Sequence, residues 1–170
     1  VKKLLEGYTW LHLSGITPAL GKSCSELILT CLKTAKENGM TVSFDGNFRS
    51  TLWSWEEARD FCTLCLPYVD VLFGIEPAVG CDEPVVLLVE VPYALGYGGV
   101  GAFVERYPNI KCVARHVRFA HSCSENSLMA YLWLNGKIYE SNRLTFHILD
   151  RVGGGDAFVS GIIYALMNEY

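Results

Sequence analysis

The chain has 170 residues, 51% of them hydrophobic and 19% charged, which is the composition of a globular protein and excludes a disordered one. Lys and Arg total 14 against 18 Asp and Glu, a net charge of −4, and no basic run stands out, so nucleic acid is not expected as a partner. Without an apolar run near the ~20 residues of a membrane span or the apolar core of a signal peptide, a cytoplasmic protein with no membrane partner is expected.

The first half of the chain predicts an α/β unit. Runs of apolar and β-branched residues predict strands at 8–14, 40–45 and 70–73. Helical spacing of apolar residues predicts helices at 22–38, ending at Asn38-Gly39, and at 53–68, capped by Ser54. This order predicts a parallel sheet with helices on its faces and ligands beyond the carboxyl ends of the strands.

The second half predicts extended segments followed by a helix. Gly96–Gly101 fits G-x-G-x-x-G, but no clear strand precedes it, and a flexible loop is predicted. The extended segments are 110–117, 128–134, 137–140 and 142–150. Asn135-Gly136 predicts a hairpin with a type I′ turn, and the apolar run from Ala157 predicts a mostly buried helix. We interpret 1–170 as a single domain.

The cysteines and histidines predict neither disulfides nor a metal site. Seven cysteines are an odd number without the spacing of a disulfide scaffold, so reduced thiols are expected. Cys62 and Cys65 form a C-x-x-C inside a predicted helix and lack a second pair at zinc spacing, which indicates core residues. The four histidines are scattered, and none is interpreted as a metal ligand.

Three consecutive glycines stand directly before the last predicted helix. Gly153, Gly154 and Gly155 remove every Cβ from the turn, so backbone N–H groups at the helix N-terminus can point together at an anion. Asp156 has two readings. It is either a favourable first-turn acid or N-cap, or a general base for a substrate hydroxyl while the glycine amides hold a transferred phosphoryl group.

The stretch from Asp150 to Gly161 resembles the signature of the ribokinase-like (PfkB) carbohydrate kinases, in which a G-A-G-D turn contains the catalytic base. Gly154 stands where the family usually has Ala. The resemblance implies a ribokinase-like fold with Asp156 as the base and Gly153–Gly155 as the anion hole. Gly153 and Gly155 would also contact the nucleotide, and ATP and Mg²⁺ are the implied cofactors.

Asp45, Asn47 and Arg49 stand at alternate positions after the second predicted strand, so in extended backbone their side chains would share one direction. They are either an ordinary polar strand end or a shelf on which Arg49 binds a carboxylate bidentately. The segment resembles the D-x-N-x-R-x-x-L-W sequence of 2-keto-3-deoxygluconate kinases. That resemblance implies a small-molecule sugar acid as the partner, bound by Arg49, Asp45 and Asn47.

Segments 10–18 and 113–126 are similar to the same subfamily, and the second corresponds to the part that lines the nucleotide phosphates. Arg118 is the implied cation there and Ser122 the implied hydroxyl donor; an exposed cation and a turn serine are the alternatives. Glu76 stands where the family has an N-x-x-E glutamate that orders magnesium through water. Gly74 or Ile75 replaces the expected Asn, and a surface acid is the alternative.

The resemblance implies Mg²⁺-ATP phosphorylation of 2-keto-3-deoxygluconate to its 6-phosphate. The chain is short for the family, so an N-terminal lid region and elements beyond the last helix are expected to be missing, and a homo-oligomer could cover the exposed edges. Two alternatives stay open. The chain is either a kinase for a neutral sugar or a non-catalytic domain that binds nucleotide or a partner.

Overall fold

The structure, a computed structural model, describes residues 1–74, 97–150 and 152–169. The chain divides into two units, Val1–Val113 and Ala114–Tyr170. The single domain expected over 1–170 stays a prediction. Within the described ranges, no helix combines the length and apolar character needed to span a membrane.

The first unit is built on three parallel strands, β1 (Trp10–Ser14), β2 (Thr41–Asp45) and β3 (Val71–Phe73). Its helices are α1 (Ile16–Ala19), α2 (Lys22–Glu37), α3 (Trp55–Cys65) and α4 (Tyr97–Arg106), with short 3-10 helices at Lys2–Leu4 and Leu66–Tyr68. The parallel arrangement of the first three strands and the helices between them are confirmed. The predicted second helix is α3 followed by a 3-10 turn.

Local geometry explains where the two long helices end and begin. After α2, Gly39 has a φ of +69°, a left-handed conformation that glycine adopts without strain. Before α3, the Ser54 hydroxyl accepts from the Glu57 amide at 3.2 Å and the Glu57 carboxylate accepts from the Ser54 amide at 2.8 Å. This capping box fixes the first turn of α3, and the hydrogen bonds from Ser54 lower the pKa of Glu57.

One face of the parallel strands lies in the hydrophobic core. Val42 and Phe44 are fully buried and Leu72 is nearly so. Their cluster includes Ile28, Leu32 and Ala35 of α2 and Phe61 and Cys62 of α3. Side chains alternate along a strand, so the opposite face presents a second set. That set contains Trp10, His12, Ser14, Ser43 and Asp45.

Asp70, at the start of β3, ties several elements together. Its carboxylate is 2.7 Å from Lys36 Nζ of α2 and accepts from the Val42 amide of β2 at 2.8 Å. Its carbonyl accepts from the Lys111 amide at 2.8 Å. Asp70 is buried, so these bonds satisfy a carboxylate that would otherwise be desolvated without compensation.

The flexible loop predicted at Gly96–Gly101 is wrong over its described part. Residues 97–101 form the first half of α4, whereas Gly96 lies outside the described residues. Glycines weaken a helix by roughly 1 kcal/mol each relative to alanine. Here Phe103 and the following Tyr107 are buried, with their rings 5.2 Å apart, and this packing outweighs the low helix propensity.

The second unit combines antiparallel strands with a helix. Strand β4 (Cys112–Ala120) begins in the first unit and continues into the second, which also contains β5 (Glu125–Leu134), β6 (Lys137–Glu140), β7 (Leu144–His147) and α5 (Gly154–Met167). β5 pairs antiparallel with both β6 and β7. Asn135 and Gly136 have φ values of +47° and +88°, as the predicted type I′ turn requires. The hairpin and the position of the final helix are therefore confirmed. The expectation that this helix is mostly buried is wrong, because Val159 alone among the residues of α5 is buried.

The six cysteines among the described residues are free thiols. Cys62, Cys65 and Cys112 are buried, and burial raises the pKa of Cys62 and Cys112 to about 12. Burial also raises the pKa of Cys65. Because the thiolate is the reactive form, these side chains behave as core residues, as the position of the C-x-x-C inside a helix predicted.

Candidate functional site

The carboxyl ends of β1, β2 and β3 meet through backbone contacts that leave no room for side chains. The Gly15 amide donates to the Asp45 carbonyl at 2.7 Å, and the Gly46 amide donates to the Phe73 carbonyl at 3.0 Å. A Cβ on Gly15 would overlap the Gly46 carbonyl. Glycine is thus required at Gly15, where two strand ends approach closely.

Of Asp45, Asn47 and Arg49, which were expected to lie together beyond β2, the first two are in contact. The Asp45 carboxylate accepts from the Asn47 amide at 3.1 Å, and the Asn47 side-chain amide donates to Ser14 Oγ at 3.3 Å. Asn47 has a φ of +38°, so the strand does not continue beyond Asp45 and the common side-chain direction expected for extended backbone is not found. The chain instead turns, and Asn47 reaches back to β1.

Arg49 lies on an exposed loop whose neighbours are anchored. Phe48 packs edge-on against Trp55 with ring centroids 5.2 Å apart, and Trp53 packs against Phe61 at 6.0 Å. Among the described residues, the Arg49 guanidinium makes one hydrogen bond, to the Phe48 carbonyl at 3.1 Å, and no ion pair. Its remaining N–H donors are therefore available for a carboxylate.

The glycine turn forms the N-terminus of α5, as predicted. Gly153 is the N-cap with a φ of +76°, and the first helical hydrogen bond runs from the Ala157 amide to the Gly153 carbonyl at 2.8 Å. The amides of Gly154, Gly155 and Asp156 precede that bond and have no intrahelical acceptor. Within the described part of the chain, a Cβ built on any of the three glycines meets no atom within 4 Å, so the turn is uncrowded, as an anion site at a helix N-terminus requires.

Two carboxylates flank this turn. Asp150 Oδ1 accepts from the Val152 amide at 3.0 Å, which closes a tight turn before Gly153. The carboxylate of Asp156, in the first turn of α5, is exposed and has no hydrogen-bond or ion-pair partner among the described residues. It is free to accept a proton from a bound hydroxyl group.

Arg118 lies on the face of β4 that packs against α5. The His116 ring contacts the Phe158 ring of α5 at 5.0 Å, and Arg118 shares this face because it is two residues further along the strand. The Arg118 side chain is exposed, and its role as a phosphate contact stays a prediction.

Ser122 lies in the tight turn between β4 and β5. Its Oγ accepts from the Glu125 amide at 2.9 Å and from the Ser124 amide at 3.3 Å. The Ile148 amide donates to the Ser124 carbonyl at 2.6 Å, which brings this turn beside the segment that enters the glycine turn. The Ser122 oxygen thus stabilises the turn, while its hydroxyl hydrogen can still be donated.

The donor set fits a magnesium ion that is shared with phosphate. Mg²⁺ usually binds one or two carboxylates together with substrate phosphates and water. Asp150 and Asp156 precede and follow the three glycines in the chain and would be the carboxylates for such an ion, whereas no group of three His, Cys, Asp or Glu side chains that could hold a metal occurs in the described part of the chain. Glu76, the expected magnesium residue, lies outside the described residues.

Sequence patterns missed the polar contacts that join neighbouring strands. Ser43 Oγ accepts from Trp10 Nε1 at 2.9 Å and lies 2.8 Å from His12 Nδ1. In the second unit, His121 and Thr145 both contact Ser127. In the sequence each of these residues has the pattern of an ordinary strand position. The hydrogen bonds between them become visible only when the register between the strands is known.

In comparisons with known proteins, the similar sequences and the similar structures are carbohydrate kinases. No family model matches the chain. The 2-dehydro-3-deoxygalactonokinase of Haloferax volcanii is 31% identical over 96% of this chain and 46% of its own length. The 2-dehydro-3-deoxygluconokinase structure from Thermotoga maritima is 36% identical with a TM-score of 0.89, covering 99% of this chain and 52% of that one.

A third relative names the wider family. The PfkB family carbohydrate kinase structure from Listeria grayi is 32% identical with a TM-score of 0.84, and the match covers 99% of this chain and 51% of that one. The chain therefore spans about half the length of the relatives it matches. Fold, glycine turn and sequence likeness agree, and over the half of these relatives that it spans the chain resembles the ribokinase-like (PfkB) carbohydrate kinases.

Proposed function

We propose that the chain is the part of a sugar-acid kinase that transfers a phosphoryl group from ATP to the 6-hydroxyl of 2-keto-3-deoxygluconate. The observation that supports this most is the N-terminus of α5, where three amides without an intrahelical acceptor precede and include that of Asp156, whose carboxylate is exposed. An anion site next to a general base is the arrangement that phosphoryl transfer to a hydroxyl group needs.

Each site residue has a role in this proposal. Asp156 takes the proton of the sugar hydroxyl as its oxygen forms a bond to the γ-phosphorus, and the bond between that phosphorus and the leaving ADP oxygen breaks. The amides of Gly154 and Gly155 hold the transferred group, and Arg118 and Ser122 contact the nucleotide phosphates. When bound, Mg²⁺ supplies positive charge that the phosphate oxygens share.

Arg49 determines the class of sugar in this proposal. Its guanidinium has no ion-pair partner among the described residues, and a planar fork matches a carboxylate bidentately. Asp45 and Asn47, held together beside Ser14, supply polar contacts for sugar hydroxyl groups. A kinase for neutral sugars would not need the guanidinium, so Arg49 separates the two readings.

The test is ADP release from Mg-ATP with a panel of sugars. The panel contains 2-keto-3-deoxygluconate, its 2-keto-3-deoxygalactonate epimer, gluconate, fructose and ribose. Turnover with the keto-deoxy acids that Asp156→Asn abolishes and Asp60→Asn retains supports the proposal, because Asp60 is an exposed acid of α3 that pairs with its neighbour Arg59. Turnover with fructose or ribose alone contradicts the sugar-acid assignment.

Substitution of Arg49 tests the carboxylate contact itself. Arg49→Lys is expected to raise KM for the keto-deoxy acid at least tenfold, since bidentate hydrogen bonding is lost. Arg59→Lys is the matched control, because Arg59 is also exposed and pairs only with its neighbour Asp60 in α3. ATP binding without turnover on any sugar would favour the non-catalytic reading. Cytoplasmic location and a homo-oligomer stay predictions.

A further inference from the structure

Three polar side chains in the second unit form a hydrogen-bonded chain. His121 Nε2 lies 2.7 Å from Ser127 Oγ, and Ser127 Oγ lies 2.8 Å from Thr145 Oγ1. His121 directly follows β4, Ser127 lies in β5 and Thr145 lies in β7. The hydrogen bonds therefore join three segments of the protein. Ser127 is 0% exposed, whereas His121 and Thr145 are exposed, so the two bonds satisfy a buried hydroxyl group whose loss of partners would be costly.

Arg143 packs beside the same group. Its guanidinium stacks 4.0 Å above the Phe119 ring, and its NH2 lies 3.4 Å from His121 Nε2. Arginine can only donate, whereas the side chains of His121, Ser127 and Thr145 can each donate or accept a hydrogen bond.

These hydrogen-bonded side chains link the turn after β4 to the segment that leads into the glycine turn, and the proposed function uses both turns. His121 directly precedes Ser122, the expected phosphate contact, and Thr145 lies in the strand that leads to Gly153. The backbone bond from the Ile148 amide to the Ser124 carbonyl lies between the two turns. Side-chain and backbone bonds thus hold the turn after β4 and the entrance to α5 in one arrangement.

We propose that His121, Ser127 and Thr145 are positioning residues that set the location of Asp156 relative to the nucleotide phosphates. The inference rests on the proposed function. Thr145 touches neither nucleotide nor sugar in this scheme and acts through the placement of β7. Since small misplacements of catalytic groups strongly reduce the rate of transfer, loss of the Thr145 hydroxyl should lower kcat about tenfold without changing KM for ATP.

The kinetic test compares Thr145→Val with Thr145→Ser. Thr145 is exposed, so valine removes the hydrogen-bonding hydroxyl group without opening a cavity, whereas serine keeps that group. The matched control is Thr63→Val, which removes an exposed hydroxyl bound only to the Arg59 carbonyl at 2.8 Å. A tenfold lower kcat in Thr145→Val alone, restored in Thr145→Ser, supports the proposal. An unchanged kcat, or a loss that serine does not restore, overturns it.

A second measurement separates this inference from the proposed function. Backbone amide signals of Gly153 to Asp156 in ¹H–¹⁵N correlation spectra should shift in Thr145→Val and stay in place in Thr145→Ser and Thr63→Val. These chemical shifts can be measured without enzymatic turnover. They therefore test the positioning role even when the wild-type chain phosphorylates no sugar. Unshifted glycine-turn signals in Thr145→Val overturn the proposal, whatever the kinetic result.

Discussion

The Gly15 amide donates to the Asp45 carbonyl at 2.7 Å, so the ends of β1 and β2 are in direct backbone contact. A methyl group on Gly15 would overlap the Gly46 carbonyl, which is backbone and cannot rotate away. Gly15→Ala should therefore lower the free energy of unfolding by about 1–3 kcal/mol, measured by urea denaturation, the usual cost of overpacking.

Gly161→Ala serves as the control for that substitution. Gly161 lies inside α5, and a Cβ there meets no atom within 4 Å. Alanine is the better helix former by roughly 0.5–1 kcal/mol, so this variant should be slightly more stable than the wild type. Equal stability changes in the two variants would show that the strand ends relax more freely than their contact indicates.

Gly153 and Gly154 should respond oppositely to alanine. Gly153 has a φ of +76°, and left-handed backbone costs an alanine roughly 1–2 kcal/mol. Gly154 is the first residue of α5 and has open space where its Cβ would be. Thermal denaturation should show Gly153→Ala below the wild type and Gly154→Ala equal or above it, in keeping with the alanine that the family usually has there. A less stable Gly154→Ala would contradict this geometry.

Asp70 should contribute strongly to stability. Asp70→Asn keeps the size of the side chain but removes the charge that faces Lys36 Nζ at 2.7 Å, and its amide cannot accept through both former oxygens. The expected loss is on the order of 2–3 kcal/mol in urea denaturation, less than for a fully buried pair because Lys36 is 33% exposed. Asp60→Asn, with both partners exposed, should change stability by under about 1 kcal/mol.

The buried thiols should make the fold sensitive to alkaline pH. Burial raises the pKa of Cys62 and Cys112 from 9.0 to about 12, so the folded state keeps protons that the unfolded chain releases. The stability that these thiols contribute is complete below pH 9 and is lost as pH rises towards 12. Urea denaturation at pH 8 and 10 should show the loss, and Cys62→Ala should reduce its size.

Thiol labelling provides a separate check on the same burial. Cys123 is exposed and should react with iodoacetamide in the native protein, whereas Cys62, Cys65 and Cys112 should react only after denaturant is added. Mass spectrometry of labelled peptides distinguishes these sites. Rapid native labelling of Cys62 would contradict the packing of α3 against the strands.

Local signals were sufficient to predict most of the elements. Ser54 and Glu57 mark the start of α3 because a capping box is made within four residues, and Asn135-Gly136 marks its hairpin for the same local reason. The helix at Tyr97–Arg106 was missed because its glycines resemble a loop. Burial of Phe103 and Tyr107 stabilises the helix in that segment, and the local sequence does not show this burial.

The sequence was sufficient to predict only that part of the candidate site which a single continuous segment forms. The glycine turn and Asp156 lie in consecutive residues, so the sequence indicates an anion site at the start of α5. The contact between Asn47 and Ser14 joins residues far apart in the chain, and it depends on the parallel pairing of β1 and β2. The same long-range dependence hid the bonds between His121, Ser127 and Thr145.

The loop with Arg49 is fastened at both ends by contacts that do not involve Arg49 itself. Asn47 is held to Ser14 and Asp45 on one side, and the Ser54 capping box starts α3 on the other. Residues between these anchors can therefore change without unwinding the strand or the helix. If the proposed function is correct, substitutions in this segment could change which sugar is bound without altering the strand and the helix on either side of it.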